Sequence, residues 1–161
     1  MTLNRADGPV PSGFCGWFGS CGDPAAASFV DRFVAEAPTF DTWVIYSRVQ
    51  RKSLKAALAF VKAVHDIDLT GTHLQVRSIE GVYHLRFLHS DLAKLDEEQR
   101  FAVAATFLDH ALGEAVAMNC IGAIDFKPDG DGIEMGLMIN QIISETGEMA
   151  PAGTGDLPRV G

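Results

Sequence analysis

Residues Phe101–Phe126 read FAVAATFLDHALGEAVAMNCIGAIDF, and the rest of the chain is arranged around how they fold. Phe101, Ala104, Ala105, Leu108, Ala111 and Leu112 recur at helical spacing and predict one buried helix face. Gly113 supplies the permissive backbone that stops a helix. Beyond it Val116, Met118, Cys120, Ile124 and Phe126 alternate with Ala117, Asn119, Ala123 and Asp125, the period of a strand. The expectation is a helix, a stop, and a strand through the core that Glu114 opens at the surface.

Upstream, Asp96 is an N-cap acceptor with Gln99 three residues on, a capping-box pattern, and Glu97 and Glu98 suit the helix dipole. Two strands, Thr72–Ile79 and Val82–His89, meet at Glu80-Gly81, a hairpin signal. On them Leu74, Val76, Tyr83, Leu85 and Phe87 alternate with His73, Gln75, Arg77, His84 and Arg86. Ser53 caps an earlier helix whose apolar side is Leu54, Ala57, Leu58, Val61, Val64 and His65. Thr42–Gln50, TWVIYSRVQ, is β-branched and aromatic and predicts another strand. Asp23-Pro24 starts a first helix with Phe29, Val30, Phe33, Val34 and Ala37 on one side, closed by Pro38. The aromatics of FCGWFGSCG, Phe14, Trp17 and Phe18, are expected to dock on the domain. Leu137–Ser144 fits a short helix or a strand equally well.

From Thr42 onward the order is β-α-β-β-α-β. It predicts an α+β domain with a ferredoxin-like (split βαβ) antiparallel sheet, helices on one face and an extra N-terminal helix. The expected boundaries are a flexible lead-in at residues 1–13, a single domain at 14–145 and a flexible tail at 146–161.

The chain has 161 residues, enough for one core without metal or disulfide staples. Its net charge of −8 disfavours nucleic acid and anionic membranes as partners. No apolar run approaches membrane-spanning length, and three cysteines, an odd number, argue against a disulfide framework. A reducing, cytoplasmic setting is expected.

The chemical motifs are incomplete. Cys15 and Cys21 are too far apart for a zinc pair, and the glycines at 13, 16, 19 and 22 match no phosphate loop. DGDG at 129–132 is followed by Ile133 where a calcium loop needs an oxygen ligand. His110 reads as a surface residue paired with Asp109 and Glu114, and His65 as a satisfied boundary residue. No cofactor, metal ligand or catalytic residue is assigned. One grouping stands out: Arg48, His73, Arg77, His84 and Arg86 are expected on the sheet face opposite the helices, with Tyr46. That face is either an ordinary solvated one or a site for a small anion, since arginine forks recognise carboxylate and phosphate. The third strand offers no aromatic pair for stacking on RNA bases.

Three motifs resemble an uncharacterised bacterial protein family. They are Phe14-Cys15-Gly16-Trp17-Phe18, similar to an FWxWF start, then Ala37-Pro38 before Trp43-Val44-Ile45, and finally Leu108-Asp109, Leu112-Gly113-Glu114, Ile121 and Ile124. Cys15 stands where that pattern has its first tryptophan. The resemblance implies a domain boundary and carries no activity.

The resulting expectation is a non-catalytic cytoplasmic binding or regulatory domain with a small anionic ligand or a protein as partner. The alternative is an enzyme or sensor holding a small anion with arginines on the sheet face. Homodimerisation through the face or an edge strand is a third.

Overall fold

The computed structural model describes residues 2–4, 14–17, 24–38 and 43–146. In chain order these form β1 (Thr2–Asn4), β2 (Phe14–Trp17), α1 (Pro24–Ala35), β3 (Trp43–Tyr46), α2 (Leu54–His65), β4 (His73–Ile79) and β5 (Val82–Leu88). After them come α3 (Ser90–Lys94), α4 (Glu97–Leu112), α5 (Glu114–Cys120), β6 (Ile121–Lys127), β7 (Ile133–Glu134) and α6 (Met135–Glu145). The protein is therefore mixed α+β, as expected. Phe18 and Cys21 lie outside the described residues, as do residues 147–161 of the expected tail. Thr2–Asn4, assigned to the lead-in, is a strand.

Several local signals act as their chemistry requires. Ser53 accepts the Ala56 amide at 3.2 Å, and Asp96 accepts that of Gln99 at 2.8 Å, so both helix starts are capped. Glu80 (φ 52°) and Gly81 (φ 82°) make a two-residue turn of the primed kind that joins β4 to β5 in full register from Ile79↔Val82 to His73↔Leu88. His89 ends the second strand by capping α3. Its Nδ1 accepts the Asp91 and Leu92 amides at 3.2 and 3.3 Å, while Nε2 lies 3.0 Å from the Asp68 carbonyl.

The sheet topology differs from the expected split βαβ order. The four-stranded sheet runs β6-β5-β4-β7, with β6 parallel to β5, and β3 is not in it. Instead β3 lies parallel to β2, with α1 as the crossover, in a separate sheet of order β1-β2-β3. FCGW is short and holds a glycine, so it gave no strand signal, and its demand for β3 as a partner was invisible.

The core lies on one side of the four-stranded sheet. Leu74, Tyr83, Leu85 and Phe87 pack there against Ala57 and Val61 of α2, Val103, Ala104, Phe107 and Leu108 of α4, and Met138, Ile139 and Ile142 of α6. Phe87 meets Phe107 edge-on at 6.4 Å between ring centroids and stacks on Phe126 at 5.8 Å. Tyr83 donates its hydroxyl to Glu145, tying the sheet to α6. Leu137–Ser144 resolves as helix: Met135, Met138, Ile139 and Ile142 are buried at 3–4 residue spacing. The buried face of α4 is turned from the expected one, since Phe101 is exposed while Val103 and Phe107 are buried.

Residues Phe101–Phe126 do not fold as the expected helix, stop and strand. Residues 114–120 are a helix, and the strand starts only at Ile121. Alternation from Val116 to Cys120 also places Val116 and Cys120 four apart on one helix side, beside buried Ala117, and both pack on the core. Gly113 separates α4 from α5 at a bend of 115°. Its φ of +87° is one that side chains rarely adopt, and an added Cβ would meet the Arg51 backbone nitrogen at 3.4 Å. Gly113→Ala is expected to cost about 1–2 kcal/mol, mostly backbone strain. In a thermal melt followed by circular dichroism this appears as a drop of about 3–8 °C.

Candidate functional site

The outer face of the four-stranded sheet is the side away from the helices. Residues 75, 77 and 79 of β4, 84 and 86 of β5, and 123 and 125 of β6 point to it. They line a shallow groove of about 370 Å³ together with Val76 and Leu85. Register builds its floor in rows. Gln75, Arg86 and Asp125 lie side by side across three strands, and Arg77, His84 and Ala123 form the next row.

The two rows have different electrostatics. Arg86 Nε donates to Asp125 Oδ2 at 2.7 Å, and its Nη1 reaches Gln75 Oε1 at 3.3 Å. Gln75 Nε2 in turn donates to the Asp131 carbonyl at 2.7 Å, so Arg86 is held from both sides. The Asp125 carboxyl sits below its ordinary range because it accepts the Phe126 amide and, secondly, the Arg86 guanidinium. Those two charges offset each other. Arg77 is exposed and has no acidic partner among the described residues. His84 stands beside it, and Gly122 of β6 leaves room there: a Cβ at 122 would come within 3.4 Å of the imidazole Cε1.

Of the five residues expected to share this face, Arg77, His84 and Arg86 line the groove. His73 points to the same face at its end, where a Cβ added at Gly132 would come within 3.2 Å of the His73 Cβ. Arg48 is elsewhere. The chain leaves β3 at Tyr46, and Arg48 pairs with Asp31 of α1. The Ser47 hydroxyl, followed by that guanidinium, holds the Asp31 carboxyl down. The grouping of Arg48 with the sheet followed from placing β3 in that sheet. Tyr46 fails to reach it for the same reason. Asp125 was missed as a site residue: its alternation placed it on this face, but its pairing with Arg86 depends on β6 lying parallel to β5.

A second polar cluster lies at the α4–α5 bend, where a surface pairing of His110 with Asp109 and Glu114 was expected. His110 and Glu114 are only 4% and 2% exposed. The Glu114 carboxylate accepts the Val49 amide at 2.9 Å, and the Glu114 amide donates to the Val49 carbonyl at 3.0 Å. The Lys52 amide donates to the His110 carbonyl at 2.7 Å, and the His110 ring lies 4.0 Å from Phe60. Burial, then the Glu114 charge, pushes the Asp109 carboxyl up to about 6. Burial, then the Lys52 ammonium, pushes the His110 imidazole down to about 4. Among the described residues no three or more of His, Cys, Asp and Glu converge as metal ligands. No single helix among them is long and apolar enough to cross a membrane. His65 Nε2 lies 3.0 Å from Thr106 Oγ1, the satisfied boundary role expected of it.

No protein-family model, curated protein or solved structure matches the chain.

The cluster has a pH signature. Asp109 favours the folded state while protonated, so its contribution is present below pH about 4 and lost as pH rises through about 6. His110 favours it while neutral, so its contribution is present above pH about 6.5 and lost as pH falls through about 4. The two slopes oppose each other between those limits. Asp109→Asn removes the first. The variant is expected to melt higher than the parent at pH 7 and to converge with it near pH 4, giving a melting temperature that climbs more steeply across that range.

Proposed function

We propose that this chain is a non-catalytic binding domain whose outer sheet face takes a carboxylate- or phosphate-bearing ligand. The observation that supports it is the charge of Arg77, without an acidic partner among the described residues, at an open groove, next to an Arg86 already neutralised by Asp125. Arg77 contacts the anion, and His84 offers a ring nitrogen for a second hydrogen bond from the neighbouring strand. Arg86 is a positioning residue: fixed by Asp125 and Gln75, it shapes the groove. A single exposed guanidinium contributes modestly, so affinity for a small anion falls in the millimolar range, a Kd of about 1 mM.

Isothermal titration with citrate and with inorganic phosphate tests this reading. Binding is expected to weaken at least about fivefold in Arg77→Ala, since about 1 kcal/mol corresponds to that ratio. Lys94→Ala, which removes an exposed charge paired with Asp91 away from the groove, is expected to change nothing. Equal binding by parent and Arg77→Ala removes the groove from the account.

A further inference from the structure

We infer that the ligand of the groove is an extended acidic peptide that adds as a strand to the free edge of β4; this rests on Arg77 being the anion contact proposed above. The hairpin sets which backbone groups of β4 face its outer edge. Because Ile79 and Val82 close a two-residue turn, they form a hydrogen-bonded pair, and the pairs Arg77↔His84, Gln75↔Arg86 and His73↔Leu88 follow at intervals of two. The backbone groups of residues 74, 76 and 78 therefore point away from β5. β7 meets β4 only at His73↔Glu134 and Leu74↔Ile133, and the Met135 amide continues that pairing to the Thr72 carbonyl at 3.1 Å. Beyond it the N–H and C=O groups of Val76 and Ser78 face outward with no strand beside them among the described residues.

An open edge of this kind is a template for another strand. Arg77 stands between the two free residues with its side chain on the groove face. Any added strand places one side chain of its own directly beside it. An acidic residue there is matched across the strands. Its neighbours then point to the other face, alongside Val76, where an apolar side chain fits. The partner is thus a segment in which acidic and apolar residues alternate.

The same geometry disfavours a second copy as the occupant. Pairing two β4 edges antiparallel with Val76 opposite Ser78 sets Arg77 directly against Arg77 of the other copy, a like-charge pair. Sliding the register toward the hairpin places Glu80, whose φ is 52°, in the ladder, and sliding it the other way displaces β7.

The test uses the full chain and a terminally blocked Glu-Val-Glu-Val-Glu peptide, compared with the same peptide N-methylated at both valines and with citrate. N-methylation removes the valine amides that face Val76 and Ser78 and leaves every carboxylate. The unmodified peptide is expected to bind at least about tenfold more tightly than the methylated one, the worth of two neutral hydrogen bonds. Ser78→Pro removes an outward donor without breaking the ladder to β5, and is expected to weaken the peptide alone, with citrate unchanged. Equal affinity for the two peptides, or citrate binding without peptide binding, overturns the strand-addition inference while the anion site stands. Loss of citrate and peptide binding together in the parent protein overturns both. A concentration-dependent dimer in sedimentation that Ser78→Pro dissociates assigns the edge to a second copy instead.

Discussion

The two-way tie between Val49 and Glu114 is the constraint on which the arrangement depends. A helix that ends inside a protein leaves carbonyls without partners, and α4 ends in the core. Lys52 takes up the His110 carbonyl, while Val49 exchanges hydrogen bonds with both the amide and the carboxylate of Glu114. The segment after β3 thus serves as a cap for the end of α4 and the start of α5. With those groups satisfied, Gly113 can turn the chain through 115°, and α5 can carry it back to enter β6 parallel to β5. Replacing the Glu114 carboxylate would leave the half-buried Val49 amide without its acceptor, a penalty of about 1 kcal/mol.

That placement of β6 is what makes the groove. A parallel β6 in its observed register sets Asp125 beside Arg86, and Gln75 holds the same guanidinium from β4. One row of the face is internally neutral as a result. The next row, Arg77 and His84, has only Ala123 from β6, so its charge faces solvent. In a chain of net charge −8 this is a local basic feature, and it lies at the one part of β4 that β7 leaves uncovered.

Local chemistry made much of this legible in the sequence. The caps at Ser53 and Asp96, the Glu80-Gly81 turn and the two-residue alternation of β4 and β5 depend on neighbours in the chain, and each was readable. That alternation put Arg77, His84 and Arg86 on one face. What failed depended on long-range pairing. Val116 and Cys120 suit strand and helix periods alike, and the core contacts of Val116 and Ala117 decide between them. Glu114 reads as a surface residue because its partner is a backbone amide 65 positions away. Arg48 reads as part of the face because nothing in TWVIYSRVQ shows that its strand pairs with FCGW.

Amide hydrogen exchange along β4, resolved by residue in the ligand-free protein, probes the open edge most directly. The Gln75, Arg77 and Ile79 amides point into the ladder with β5 and are expected to exchange slowly, while those of Val76 and Ser78 exchange near the rate of exposed backbone. Slow exchange at Val76 and Ser78, on a par with Gln75 and Arg77, would contradict the account by showing that the edge is already covered.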